Sequence, residues 1–241
     1  MRLFSAKTLG LLALTLVGIP CSSYADSIIV PTGLAPGSEY RLAFVTMTEY
    51  SATSSNIADY NNDVNTEADS VAALDALGTT WLDIGSTSSV NAIDNIGQDP
   101  GVPIYNLDGQ LVADDATTSP GGLFSGDLLG KIDFNELGVT QNAGVWTGSN
   151  SSGTADDPLG GTDGRLGLSF TVTSLWISTL KLSVSTTDLH LYAISEVLTV
   201  PDITTPEPST YVMGCLGAVV LLLANFARKR SGSGAGTERV E

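Results

Sequence analysis

The sequence predicts one folded domain of mixed helix and strand between two hydrophobic segments. Three observations support this: an apolar run near the amino end, a longer one near the carboxyl end, and about 180 residues between them. In this middle part, strand and helix periodicities alternate with Gly-, Ser- and Asn-rich turns. A chain of that length can bury a substantial core. We therefore expect residues 26–200 to form a single exported domain.

The first 25 residues have the pattern of a secretory signal peptide. Arg2 and Lys7 supply positive charge, residues 9–19 form an apolar core, and residues 23–25 (Ser-Tyr-Ala) place small side chains at the cleavage positions. We expect signal peptidase to cut between Ala25 and Asp26.

Without its terminal segments the chain is strongly acidic and free of thiols. Residues 26–207 contain four basic and twenty-four acidic side chains, a net charge of −20. Such a surface repels nucleic-acid phosphates and anionic lipids, so nucleic acid is excluded as a partner, whereas divalent cations and neutral or cationic polysaccharide remain compatible. The two cysteines, Cys21 and Cys215, lie in the terminal segments, so disulfides cannot stabilise the domain.

The first elements are a strand and a helix. Residues 40–47 (YRLAFVTM) predict a central strand, because apolar side chains occupy both alternating faces. A helix follows, capped by Ser55 or Asn56 at its start and closed by Gly78, and the acidic residues near Thr66 can split it in two. Its apolar stripe repeats at three- and four-residue steps: Ile57, Tyr60, Val64, Ala68, Val71, Leu74 and Leu77. Residues 79–84 form an extended piece that we expect to pack on this helix.

A hairpin and further strands follow. Residues 104–107 and 110–113 flank Asp108-Gly109, a dipeptide favoured at two-residue hairpin turns. Residues 145–148 (VWTG) separate two long loops, and alternation predicts further strands at 168–172, 180–184 and 189–194. The polar segments 114–130 and 149–164 predict long loops, which in compact domains are usually functional or mobile.

Six short blocks link this region to a known family: YRLAFVT at 40–46, NIADYN at 56–61, GTTW at 78–81, YNLDG at 105–109, VWTG at 145–148 and LHLYAISE at 189–196. Together they resemble bacterial surface domains similar to endostatin and, more distantly, to C-type lectins. The resemblance implies an α+β fold, with one or two helices on a curved, mainly antiparallel sheet and long polar loops. The paired cysteines and the sugar-binding tripeptides of C-type lectins are missing, so it assigns no sugar-binding residue.

The carboxyl-terminal region combines three features in order. Pro206-Glu207-Pro208 is followed by seventeen uncharged, mostly apolar residues, 211–227, and then by Arg228-Lys229-Arg230. Seventeen residues lie at the short end of a membrane-spanning helix, and the basic cluster keeps the following tail on the cytoplasmic side. The prolines stop the helix from extending upstream and leave an extended peptide.

This arrangement resembles the PEP-CTERM sorting signal of Gram-negative bacteria, near which a membrane peptidase called exosortase is thought to cut. The resemblance implies a linker at 201–210, a transmembrane helix at 211–227 and a cytoplasmic segment at 228–241. It also implies a single-pass inner-membrane intermediate and a mature product at the cell surface or in the extracellular matrix. The alternative is a plain carboxyl-terminal anchor that is never cut.

Candidate chemical groups are few. His190 is the sole histidine and the domain has neither a Cys nor a Gly-x-Ser-x-Gly elbow, which favours a structural histidine and argues against zinc. Trp81 and Trp176 are expected in the core. Trp146 precedes the long polar loop at 149–164 and is the candidate surface platform for a sugar ring.

Calcium requires only oxygen ligands, and two groups of loop residues can supply them. The first is Asp127, Asp133, Asn135 and Glu136, and the second is Asp156, Asp157 and Asp163. Neither follows the EF-hand spacing, and the alternative is that each is a solvated acidic loop. Equal melting temperatures with calcium and with chelator would eliminate the calcium hypothesis.

These patterns predict a noncatalytic exported surface or matrix protein with extracellular polysaccharide as the candidate ligand. The alternative is a secreted enzyme that processes polysaccharide through two carboxylates.

Overall fold

The computed structural model describes residues 30–184 and 186–202. The predicted signal peptide, its cleavage position, the sorting motif, the apolar span and the basic cluster lie outside these residues. None of the helices in the described residues is long and apolar enough to cross a membrane.

Within the described residues the chain forms an α+β domain of ten short strands and three short helices. The strands are β1 (Glu39–Val45), β2 (Tyr50–Ser51), β3 (Trp81–Asp83), β4 (Ile104–Asn106), β5 (Leu111–Ala113), β6 (Gly144–Trp146), β7 (Asp163–Leu168), β8 (Lys181–Ser183), β9 (Asp188–Ser195) and β10 (Leu198–Thr199). The helices are α1 (Ile57–Asp69), α2 (Ala72–Asp75) and α3 (Ala92–Ile96), and a 3₁₀ turn covers Ser174–Trp176.

The sheet is mixed. Its main path runs β5-β4-β1-β9-β6-β7-β8, while β10 joins β1, and β2 and β3 join β9. Two pairings are parallel, β1 with β4 and β6 with β9, and the other pairings are antiparallel. Strands β1 and β9 therefore form the centre of the sheet.

The central position of β1 is confirmed, because its side chains enter two apolar clusters on opposite faces of the sheet. Ala43 and Val45 pack into one cluster, with Tyr192 of β9, and Leu42 and Phe44 pack into the other. Successive side chains of a strand point to opposite faces, so a strand buried on both sides is apolar throughout.

The predicted helix is confirmed, and it is split. Asn56 caps α1 by accepting a hydrogen bond from the backbone N–H of Ala58, and Tyr60, Val64 and Ala68 bury the apolar stripe. The helix stops at Asp69, where Ser70 turns the chain and its hydroxyl donates to the Glu67 carbonyl.

The hairpin is confirmed, but its turn is longer than predicted. Tyr105 pairs with Leu111 and Ile104 with Ala113, with a register shift between them. The Asn106 side chain explains the longer turn, because its Oδ1 accepts from the N–H groups of both Asp108 and Gln110.

The strand predicted at 168–172 is wrong, because β7 ends at Leu168 and begins at Asp163. Two glycines of β7, Gly164 and Gly167, interrupt the alternation of apolar and polar side chains by which a strand is recognised in a sequence. A Cβ at Gly164 would crowd the Trp146 ring, and a Cβ at Gly167 would overlap the Trp176 carbonyl. Neighbouring residues pack so closely at these two positions that a side chain would not fit, and the strand therefore has glycine at both.

The sheet gives the domain two distinct ends. The start of β1 pairs with β10, after which the chain continues toward residue 202. The end of β1 leads into the 46–49 turn, where Tyr50 pairs with Leu189 at the start of β9. We call this second end, formed by residues 46–50, the start of β9 and the contacting loop at 134–141, the distal end.

Candidate functional site

The second acidic loop group forms ion pairs with two basic side chains. Arg165 Nη2 lies 2.7 Å from carboxylate oxygens of both Asp156 and Asp157, and Lys181 Nζ lies 3.1 Å from Asp157 Oδ1 and 3.7 Å from Asp163 Oδ2. The carboxylates that sequence reasoning offered to calcium therefore surround two protein cations.

The first group is dispersed over different contacts. Asp127 Oδ1 accepts from the Ser174 N–H at 2.8 Å, and Asp133 Oδ2 lies 3.9 Å from Lys131 Nζ. Asn135 Oδ1 instead holds its own turn by accepting from the N–H groups of Leu137 and Val139. Among residues 30–184 and 186–202, no group of three or more His, Cys, Asp or Glu side chains is arranged to hold a metal ion. Calcium binding stays a prediction.

Trp146 is not a surface platform. Its side chain is 0% exposed, and its indole N–H donates to the Tyr50 carbonyl at 3.1 Å. Strand β6 lies between β9 and β7, so Trp146 is covered by neighbouring strands and packs in the core. Trp81 and Trp176 are also buried, as expected.

His190 is buried at the distal end in a fully bonded position. Its Nδ1–H donates to the Thr46 carbonyl at 2.7 Å, which leaves Nε2 to accept from the Gln141 amide at 3.3 Å. Glu49 lies 3.6 Å from the same Nε2. The imidazole links β9, the 46–49 turn and the 134–141 loop, so a structural role fits its surroundings.

An open groove of about 600 Å³ lies in the long loop at 114–130. Its lining includes Thr118, Pro120, Ser125, Asp127 and Ser174. Hydroxyl groups and a carboxylate beside a proline ring can hydrogen-bond and contact a sugar. Asp127 thus lies in a candidate binding surface, whereas the sequence analysis considered it as a calcium ligand or as part of a solvated acidic loop.

Sequence reasoning missed a carboxyl pair at the distal end. Glu136 is 4% exposed, its Oε2 accepts from the Met47 N–H at 2.9 Å, and its carboxyl group hydrogen-bonds the Glu67 carboxyl of α1. The Tyr50 hydroxyl donates to Glu67 Oε1 at 2.5 Å. No local pattern could reveal this pair, because Glu67 and Glu136 are far apart in the sequence.

Burial controls the titration of this group. Burial, together with Glu67, raises the pKa of Glu136 to about 6. Burial and the bond to Glu67 also raise the pKa of Tyr50, so its hydroxyl remains a donor. The pKa of Asp63, one turn before Glu67, is raised by burial and by repulsion from Asp59 and Glu67. With a pKa of about 6, the Glu136 carboxyl carries a proton under mildly acidic conditions.

The second missed group is Asp83, on the face of β3 that also carries Trp81. It is 0% exposed, and neither carboxyl oxygen has a hydrogen-bond partner. Burial, reinforced by Asp63, raises its pKa well above the usual value. The available signal was the strand period, because residues two apart share a face and Asp83 therefore lies on the same face as Trp81, which was expected in the core.

Asparagine side chains complete the hydrogen bonding of β3, which among the described strands pairs with β9 alone. Asn65 Oδ1 accepts from the Trp81 N–H at 2.9 Å, and Asn61 Oδ1 accepts from the Asp83 N–H at 2.8 Å. Asn95 of α3 donates to the Asp83 carbonyl at 2.8 Å. The polar side chains of α1 and α3 therefore replace a neighbouring strand and fix the backbone around Asp83.

No protein-family model matches the chain, and comparison with curated proteins finds no significant relative.

Proposed function

We propose that the protein is a noncatalytic, exported surface or extracellular-matrix protein that is sorted and cut at its carboxyl-terminal signal. The observation that carries this proposal is the fixed order of Pro206-Glu207-Pro208, an uncharged apolar span and Arg228-Lys229-Arg230. The well-packed domain ends close to this signal, since β10 stops at Thr199. Signal peptidase acts at the amino end and an exosortase-type peptidase at the carboxyl end.

The proposed route has two stages. The uncut chain is held in the inner membrane by residues 211–227, with its basic cluster on the cytoplasmic side. Cutting near the motif then delivers the acidic domain to the envelope surface or matrix. The likeness to endostatin-like and C-type-lectin-like surface domains belongs to this proposal, supported by helices packed on a mixed sheet with a long loop at 114–130.

Maturation tests the sorting proposal. The double substitution Pro206→Ala and Pro208→Ala removes the extended recognition peptide, so we expect the uncut form to accumulate in the inner membrane. Blotting of fractionated cells measures this, with Ser209→Ala and Thr210→Ala as a matched double substitution beside the motif. Normal maturation of the proline variant would show that the motif is not the sorting signal and would favour a plain anchor.

The enzyme alternative has little support from the carboxyl pair. Glycoside hydrolases place their two carboxyl groups about 5–9.5 Å apart, so that a sugar or water fits between them. Glu67 and Glu136 instead hydrogen-bond each other directly, and Glu136 is buried. This geometry favours binding without cleavage. We propose that the groove lined by Asp127 binds polysaccharide.

A further inference from the structure

Hydrogen bonds at Phe134, Glu136 and Gln141 join the 134–141 loop to its neighbours, and Glu136 also contacts α1. The Glu136 carboxyl meets the Glu67 carboxyl of α1. Two ionised carboxylates repel each other, so oxygen atoms in hydrogen-bond contact require that one group carries a proton. Loss of that proton replaces an attraction with a repulsion between the loop and α1.

No cation is placed to take over when the proton leaves. The titratable groups that interact within this cluster are Tyr50 of β2 and Asp63 and Glu67 of α1, and none is basic. His190 and Glu49 also lie at the distal end, but the imidazole contacts Thr46, Gln141 and Glu49 and makes no hydrogen bond to Glu136. The four basic side chains of the described residues are paired elsewhere: Arg41 with Asp99, Lys131 with Asp133, Arg165 with Asp156 and Asp157, and Lys181 with Asp157 and Asp163. The negative charge that forms when the Glu136–Glu67 pair loses its proton is therefore not balanced by a Lys or Arg side chain of the described residues.

The same loop displays apolar side chains to solvent. Leu137 and Val139 are more than half exposed, and Met47, whose N–H donates to Glu136, is half exposed. Asn135 Oδ1 fixes the backbone of the loop by accepting from two of its N–H groups. A change in the attachment of Glu136 thus moves a preformed apolar tip rather than unfolding it.

We propose that the 134–141 loop is a pH-operated clasp, fastened to α1 by a proton shared between Glu136 and Glu67 and released when that proton is lost. The raised pKa of Glu136, about 6, sets the range. An unfolded glutamate titrates near 4.5, so the folded state holds this proton more tightly. The contribution to stability is complete below pH 4.5, declines as the pH rises toward 6, and is lost above it.

Amide hydrogen exchange of the full-length chain tests the clasp. We expect peptides covering 46–49 and 134–141 to lose about tenfold in protection between pH 5 and pH 7.5, after correction for intrinsic exchange rates. Peptides from the centre of β9 should change little. In Glu136→Gln the amide keeps a donor for Glu67 at every pH, so we expect protection that does not depend on pH.

The control variant is Glu49→Gln, an exposed carboxylate at the same end, which should keep the wild-type pH dependence. If Glu136→Gln does not fold, Glu67→Gln removes the same shared proton from the helix side. Equal protection of the wild-type loop at both pH values would overturn the clasp, as would a Gln variant that follows the wild-type profile.

Discussion

Buried polar residues divide in this protein into those with partners and those without. Arg41 is buried in the core, yet its Nε donates to the Ser195 carbonyl at 2.6 Å and its Nη1 lies 3.0 Å from Asp99 Oδ2. His190 likewise has a partner on each ring nitrogen. Asp83 has none for its carboxyl oxygens. A buried carboxylate without partners is costly, so it takes up a proton instead.

Substituting Asp83→Asn is expected to change the pH dependence of stability. The folded-state pKa of Asp83 lies above its unfolded value, so the wild type is favoured at low pH and loses stability as the pH rises above about 3.8. The amide has a similar volume and cannot ionise. We expect Asp83→Asn to exceed the wild type by about 1–3 kcal/mol in unfolding free energy at pH 8.

Denaturant titrations of the full-length chain at pH 4 and pH 8 measure this difference, and the advantage of Asp83→Asn should shrink at pH 4. The exposed Asp188 gives a matched control, since Asp188→Asn removes the same charge from the surface. A wild type whose stability is the same at both pH values would contradict a buried neutral Asp83.

At the scale of elements, the sequence predicted the helix and the strands whose apolar residues repeat at a regular period. Strand β1 and helix α1 were predicted because apolar side chains repeat at two and at three to four residues. Strand β7 was missed because Gly164 and Gly167 make room for Trp146 and Trp176. Trp146 was misplaced because neighbouring residues do not reveal which strands lie beside it. Glu67 and Glu136 were missed because only the folded chain brings them together.

Two glycines of the same ladder test the packing of β7. Leu168 of β7 pairs with Gly144 of β6, and Gly167 lies next to Leu168. A Cβ at Gly167 overlaps the Trp176 backbone, which cannot move as a side chain end would, so Gly167→Ala is expected to lose about 1–3 kcal/mol of stability. Thermal unfolding of the full-length chain measures the loss.

Gly144→Ala is the control, because its Cβ would meet Leu189 at an ordinary 3.6 Å. We expect a change within about 0.5 kcal/mol. Similar losses for the two alanine variants would show that strand glycines are costly to replace in general, and that contact with Trp176 is not the cause.

At the scale of the whole molecule, charge limits the ligands. Each of the four basic side chains in the described residues is paired with a carboxylate, so none is left to attract an anion. The remaining carboxylates give the surface a long-range negative potential. A domain with this charge repels sulfated or carboxylated polymers, whereas a neutral or amine-bearing polysaccharide experiences no such repulsion.

We therefore expect the full-length chain to retain neutral or amine-bearing polysaccharides and to exclude anionic ones at low salt. A glycan array measures binding, and a reducing-sugar assay on the same polymers measures cleavage, for which we expect no signal. Asp127→Asn keeps an acceptor for Ser174 but removes the charge from the groove, so it should weaken retention of an amine-bearing polymer by about fivefold.

The matched variant Asp202→Asn removes an equal charge at an exposed position outside the lining of the groove and should bind as the wild type does. Comparing Asp127→Asn with Asp202→Asn separates a contact in the groove from long-range attraction, because both variants lose one negative charge from the domain. If both variants bind the polymer more weakly by the same factor, the overall charge of the domain explains binding and the groove is not the binding site. Sugar release abolished by a single Asp or Glu substitution would establish the enzyme alternative.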